Sequence, residues 1–148
     1  MKIVGTDRPE SLVGTDAADV IRAKGGNDML IATGGRDVLF GGDGGDYFMF
    51  MDGDAKCSTI KDFDPGEDLF LVRLSNYFEN VPGGTPGFSF TEGGKTSADG
   101  SLTNVIYNPG NGKIFIDIDG AGADAAVKIA KLTPGLDVGK DDFFLYFN

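Results

Sequence analysis

A large apolar side chain recurs every nine residues through the first third of the chain. These side chains are Leu12, Ile21, Leu30, Leu39 and Phe48. Each lies in the middle of a short, mostly apolar triplet. Such a triplet is too short to be stable as an isolated strand, but it can form one when the chain coils and successive turns stack about 4.8 Å apart. The pattern therefore predicts a parallel β coil whose recurring apolar side chain points inward.

An acidic residue precedes each of these apolar positions by two residues. The acids are Glu10, Asp19, Asp28, Asp37 and Asp46, in the units GTDRPESLV, GTDAADVIR, AKGGNDMLI, ATGGRDVLF and GGDGGDYFM. The first four columns of each unit hold mostly small or turn-forming residues, so the acid occupies column six and the apolar side chain column eight. Each unit is thus predicted to be a tight acidic turn followed by a short strand.

Two units are expected to complete one circuit of the coil, which brings alternate turns together on the same edge. The expected sets are Asp19 with Asp37 on one edge, and Glu10, Asp28 and Asp46 on the other. Stacked carboxylates repel one another in a low dielectric unless a cation lies between them. Glycines let the backbone turn carbonyl oxygens toward the same point. Many oxygen ligands, without His or Cys, select a hard cation and favour calcium over magnesium.

These units resemble the G-G-x-G-x-D-x-U-x nonapeptide of RTX (hemolysin-type) calcium-binding proteins, which form a parallel β-roll. GGDGGDYFM matches at every defined position, whereas GTDRPESLV is degenerate and is similar to a cap. The resemblance implies two calcium sites, formed by Asp19 with Asp37 and by Asp28 with Asp46. It also implies that backbone carbonyls complete the shells, including those of Gly26, Gly35, Gly42 and Gly44. A third site using Glu10 is left open.

The remaining residues predict further strands, and the fold class expected for the whole chain is all-β. We expect a β-roll over residues 1–50 that continues into a C-terminal antiparallel β-sandwich or capping region over residues 51–148, as one continuous module. STIKDFDPGEDLFLVRL predicts a strand, a turn at Pro65-Gly66 and a second strand. This segment resembles the D-F-x-x-G-x-D sequence that commonly follows RTX repeats. Asp62 and Asp68 either close a further calcium site or lie in solvent on a polar hairpin.

Other segments of this half carry weaker patterns. Residues 82–101 predict a long loop or a hairpin, and residues 103–117 predict two strands around a turn. Asp117 and Asp119 are predicted to shape a β-turn. The last eight residues predict a final strand packed on the roll, and their resemblance to RTX C-termini implies an uncleaved signal for type I export.

Composition narrows the possible functions. The chain has 23 acidic and 13 basic residues, a net charge of −10, and no His. The charge argues against nucleic acid as a partner, and the absence of His excludes Ser-His and Cys-His catalytic pairs and imidazole zinc sites. We therefore expect that the protein is not an enzyme, and a small stand-alone enzyme that uses carboxylates, Lys, Tyr or Cys57 is the less favoured alternative. The single cysteine, Cys57, cannot form an internal disulfide and is expected to be a buried small residue.

The resemblance implies a secreted module that folds when it binds calcium outside the cell and that supports type I secretion and stability. The type I secretion machinery and a parent catalytic domain are the partners it implies. No apolar run is long enough for a membrane span, and MKIVGTDRPE lacks the apolar region of a Sec-type signal. The alternative is a polysaccharide-binding accessory module similar to those of alginate epimerases. In that case Arg22, Lys24 and Arg36 meet an anionic glycan.

Overall fold

A computed structural model describes residues 1–51, 57–73, 88–92, 103–117 and 126–146. The strands, in chain order, are β1 Lys2–Val4, β2 Ser11–Val13, β3 Val20–Gly25, β4 Met29–Ala32, β5 Val38–Asp43, β6 Tyr47–Met51, β7 Ser58–Ile60, β8 Leu69–Arg73, β9 Phe88–Glu92, β10 Thr103–Asn108, β11 Lys113–Asp117, β12 Val127–Lys131 and β13 Phe143–Tyr146. A 3-10 helix, Lys140–Asp142, precedes β13. Nothing helical in these ranges is long and apolar enough to cross a membrane.

The nonapeptide units form a parallel coil, as predicted. Each unit contributes a turn and then a strand, and strands eighteen residues apart pair in parallel, with Leu12 beside Leu30 and Leu30 beside Phe48. On the opposite side of the coil Ile21 pairs with Leu39. The predicted two-unit circuit and both inward ladders are confirmed.

The strands form two sheets that enclose one core. The five-stranded sheet has the order β13-β8-β6-β4-β2, with parallel pairing throughout, and the eight-stranded sheet has the order β1-β3-β5-β7-β12-β11-β10-β9. The ladder of the five-stranded sheet continues beyond the repeats through Phe70 and Phe143, whose rings stack 4.8 Å apart. Phe63 also stacks on Phe70, at 4.5 Å. These rings fill the roll where the nonapeptide pattern has ended.

The segment after the repeats is not the hairpin that one interpretation predicted. β7 and β8 lie in different sheets, and the chain crosses between them in a turn that contains Pro65 and Gly66. The chain here follows the same path as in the nonapeptide units, because β7 pairs in parallel with β5 and β8 pairs in parallel with β6. A separate domain boundary near residue 50 stays a prediction.

The C-terminal half adds the antiparallel strands. β10 and β11 pair around a turn at residues 109–112, as predicted, and β12 joins them to β7. β9, within the predicted loop 82–101, pairs in parallel with β10. The rest of that loop and the predicted turn residue Asp119 lie outside the described residues. Cys57 is only partly buried and has a φ of 64°, so the prediction of a buried cysteine is wrong.

Candidate metal centre

The acidic turns lie along two edges of the roll. On the first edge the chain passes from the eight-stranded to the five-stranded sheet, in turns 5–10, 26–28 and 44–46. On the second edge it returns, in turns 14–19 and 33–37. Four of these turns end in a buried Asp, with an exposed fraction of 2% or less at Asp19, Asp28, Asp37 and Asp46, and the turn 5–10 ends in the partly buried Glu10. The strand that follows each turn holds the acid in place.

On the first edge the carboxylates form a ladder with backbone N–H groups. The N–H of Glu10 donates to Asp28 Oδ1 at 2.9 Å, and that of Asp28 donates to Asp46 Oδ1 at 2.9 Å. The ladder ends where the N–H of Asp46 donates to Asp68 Oδ1 at 2.8 Å. Each acid therefore uses one oxygen to cap the preceding turn. The predicted pairing of Asp28 with Asp46 is present as a stacked contact.

The second edge has a shorter ladder with a different end. The N–H of Asp19 donates to Asp37 Oδ1 at 2.9 Å, so this predicted pair is also stacked. The N–H of Asp37 then donates to Ser58 Oγ at 3.2 Å, and Ser58 Oγ lies 3.5 Å from Asp37 Oδ2. A hydroxyl thus occupies the position that an acid holds on the first edge.

The second oxygens of the carboxylates distinguish the two edges. Asp28 Oδ2 and Asp46 Oδ2 are buried and have no hydrogen-bond partner. On the second edge, Asp19 Oδ2 accepts from the N–H and the hydroxyl of Thr15, at 2.6 and 2.8 Å. Asp19 Oδ1 lies 2.6 Å from the amino group of Met1. The stronger need for a cation is therefore on the first edge.

The glycines bring the backbone of one turn close to the next. Gly42 and Gly44 have φ values of 99° and 120°, and a Cβ at either would overlap the carbonyl oxygen of Lys24 or Gly26 in the turn before. Gly35 behaves similarly, since its Cβ would lie 2.7 Å from the carbonyl oxygen of Ala17. Carbonyls of columns two and four therefore face the following turn. Lys24, which the sequence indicated only as a contact for a glycan, takes the left-handed conformation that glycine usually supplies, with φ of 88°.

The electrostatics of the first edge oppose the charged carboxylates. Burial, with the charges of Asp68, Asp28 and Asp62, raises the pKa of Asp46 to about 6. Burial and then the charge of Glu10 raise the pKa of Asp28. A bound cation would remove this penalty, because an opposite charge favours the ionised form.

On the second edge the two acids respond differently. Burial and then the charge of Asp19 raise the pKa of Asp37. The amino group of Met1 and the hydrogen bonds from Thr15 lower the pKa of Asp19 to about 2. Part of the charge on this edge is thus already compensated by the protein.

The donor set fits a calcium ion on the first edge. Asp28 and Asp46 contribute two buried oxygens without protein partners, and the carbonyls of Lys24 and Gly26, which face the next turn on the same edge, are further oxygen donors. Across the described ranges no three acidic or Cys side chains converge to hold a metal by themselves. The shell would therefore need carbonyls from residues such as Lys24, Gly26, Gly42 and Gly44. Oxygen donors alone are the ligands that calcium prefers.

The three further candidate ligands are engaged by backbone N–H groups. Glu10 Oε1 accepts from Thr6, and Asp62 accepts from Gly41 and Gly42 at 2.9 and 3.1 Å. Asp68 has an exposed fraction of 3%. Its Oδ1 accepts from the N–H of Asp46 at 2.8 Å, and its Oδ2 accepts from the N–H of Asp64 at 2.9 Å. Asp68 is therefore buried and not in solvent, and its contacts are those of a cap.

Sequence reasoning missed one further carboxylate at this end of the roll. Asp142 is buried before β13, and it accepts from the N–H groups of Gly66 at 2.9 Å and Gly139 at 2.8 Å. The sequence pattern that could have indicated this role is an acid followed by apolar residues, which Asp142-Phe143 shares with Asp68-Leu69. By itself, that pattern predicted only the start of a final strand.

A comparison with protein families agrees with this arrangement. A model of the RTX calcium-binding nonapeptide repeat family matches in four copies, over residues 4–36 and 13–48. No curated protein matches the chain. Among solved structures, the AlgE6R3 subunit of the Azotobacter vinelandii mannuronan C5-epimerase is 23% identical, with a TM-score of 0.29, over 95% of this chain and 80% of that one. The family match and the parallel roll together show that residues 4–48 consist of RTX calcium-binding nonapeptide repeats.

Proposed function

We propose that the chain is a calcium-dependent folding module of a secreted protein. The observation that carries the proposal is the pair of buried, unpartnered oxygens on Asp28 and Asp46. Without a cation, two stacked carboxylates and a glycine-rich backbone oppose folding, because burial penalises the charges and glycine loses much conformational freedom. When bound, calcium would supply the missing positive charge, and its binding free energy becomes folding free energy.

This coupling suits export through a type I system. In a low-calcium cytosol the repeats would stay unfolded, and at the roughly millimolar calcium outside the cell they would fold. The absence of internal disulfides is consistent with stability that comes from ions. An extracellular location and a type I exporter as partner are parts of the proposal, as is the second calcium site at Asp19 and Asp37.

The test is a calcium titration followed by far-UV circular dichroism. We expect β signal to appear with calcium and to disappear with a chelator. Asp28→Asn and Asp46→Asn should raise the calcium midpoint, because each keeps an oxygen for the neighbouring N–H and removes the charge. The matched controls are Asp16→Asn, in an exposed turn, and Asp43→Asn, at the exposed end of β5. A metal-free protein that is equally folded, or controls that shift as much, would refute the proposal.

A further inference from the structure

The outer face of the five-stranded sheet is apolar across all five strands. This surface, called here the apolar face, consists of two rows that the strand register defines. The central row is Val13, Ile31, Met49, Leu71 and Phe144. The second row lies nearer the first edge and is Met29, Tyr47 and Leu69. These side chains alternate with the buried ladder on the same strands and so point away from the core.

The nonapeptide period does not require an apolar outer face. The outward positions of the eight-stranded sheet include the charged Lys2 and Arg22. On the five-stranded sheet, only Arg73 is charged among the described side chains that point outward. Val13 is 53% exposed and Phe144 is 58% exposed. A contiguous apolar surface of this kind marks a site of interaction, because soluble monomers rarely leave one in water.

The size of the apolar face suits a reversible protein contact. Five strands about 4.8 Å apart, with their side chains, cover about 24 Å, and the two rows cover about 13 Å along the strands, so the face measures about 300 Å². Patches of that size are often functional. Two such faces, with their rims, approach the total of about 1,000 Å² at which specific interfaces begin.

The charges at the rim of the apolar face are complementary to those of a second copy. Arg73 ends β8 on the side of the second edge, and its Nε is buried without a hydrogen-bond partner. Asp141 is exposed on the side of the first edge, two residues before β13. When two faces pack with antiparallel strands, the first edge of one copy lies opposite the second edge of the other. Arg73 of each copy then lies near Asp141 of the other, and no like charges meet inside the face.

Other occupants fit the apolar face less well. Elements that bind a lipid surface carry Lys and Arg around their apolar side, which attract anionic headgroups. The turns beside this face expose acids instead, among them Asp7 and Asp141. An unlike protein would have to supply a matching rim, which a second copy provides by symmetry. We propose that the apolar face is the interface of a homodimer, in which two five-stranded sheets pack face to face with antiparallel strands.

The experiment is sedimentation equilibrium of the calcium-saturated protein over about 1–500 µM. The test variant is Val13→Lys/Phe144→Lys, which places charges on both edge strands of the five-stranded sheet. The matched control is Val4→Lys/Val127→Lys, at two exposed valines of the eight-stranded sheet. Val4, like Val13, ends a three-residue edge strand. Circular dichroism in calcium checks that each variant is folded, which separates a loss of dimerisation from a failure of calcium-dependent folding.

We expect the average mass of the parent protein to rise with concentration from 15.6 kDa toward twice that value. The test variant should dimerise at least about a hundredfold more weakly, because apolar burial is lost in both copies and each lysine faces its symmetry mate. The control should dimerise as the parent does. Arg73→Gln should weaken the dimer about two- to twentyfold, since it removes an ion pair at two symmetric positions.

A parent protein that stays monomeric over this range would overturn the proposal, and so would an equal loss in the control variant. A monomer that binds phosphatidylcholine vesicles would assign the apolar face to a lipid surface instead. An Arg73→Gln variant that dimerises as tightly as the parent would contradict the antiparallel arrangement.

Discussion

Replacement of Asp68 tests whether the first edge ends in a cap or in another calcium site. The carboxylate accepts two N–H groups, from Asp46 at 2.8 Å and from Asp64 at 2.9 Å, and the residue is 3% exposed. Asp68→Ala would leave both donors without a partner. The N–H of Asp46 is buried, and an orphaned buried donor costs about 1–3 kcal/mol. Asp64 is exposed, so its N–H can bond to water instead, and the free energy of unfolding should fall by about 1–3 kcal/mol in all.

The conservative variant Asp68→Asn should have a smaller effect on stability. Asp68→Asn keeps one acceptor oxygen for the buried N–H of Asp46 and presents its NH₂ group to the exposed Asp64, so the free energy of unfolding should fall by less than in Asp68→Ala. Glu67→Ala, an exposed neighbour, serves as the control and should change stability by about 0.5 kcal/mol or less. The assay is urea unfolding at saturating calcium, monitored by circular dichroism.

A second measurement separates the two roles of Asp68. The number of calcium ions bound at saturation, measured by equilibrium dialysis and mass spectrometry, should be the same in Asp68→Asn and the parent protein. Loss of one ion would show that Asp68 is a ligand and that the cap interpretation is wrong. Unchanged stability in Asp68→Ala would refute the hydrogen-bond argument itself.

Three other changes test the turns. Gly44→Ala should unfold the roll or strongly raise the calcium concentration at its folding midpoint, because the new Cβ would overlap the carbonyl oxygen of Gly26. The control is Gly135→Ala, which has a φ of 88° and open space around it and so measures the cost of the backbone conformation alone. Equal effects in the two variants would contradict the argument that the two turns approach closely. Lys24→Gly should raise the free energy of unfolding by about 1 kcal/mol in urea, since it relieves a left-handed conformation at φ 88°, and a loss of stability would count against that strain. Acidification of the metal-free protein should recover β signal in circular dichroism. Burial raises the pKa of Asp46 in the folded state from 3.8 to about 6. The cost of burying its charge is therefore complete above pH 6 and is relieved as the pH falls from 6 toward 4. A metal-free protein that loses β signal over this pH range would contradict the pKa argument.

The repeat region was predictable because its information is local. Inward positions, parallel pairing and the stacking of Asp28 with Asp46 all follow from one period and the alternation of side chains along a strand. The partners that end the ladders break the period. Ser58 lies 21 residues after Asp37, and Asp68 lies 22 after Asp46. A nine-residue count does not reach either, so the capping role of Asp68 and the hydroxyl at Ser58 emerged only from the fold.

The sequence by itself determined a β-roll with stacked acidic turns and an oxygen-only metal chemistry, because a repeated unit carries the same hydrogen-bonding and side-chain geometry wherever it stacks. Only the tertiary structure decided which carboxylate oxygens lack a protein partner. That depends on whether Thr15, Ser58 or an amino group comes close enough to bond to them. It also decided that Lys61, Lys113 and Lys131 share one face with the repeats, since β7 and β12 join the sheet from distant parts of the chain.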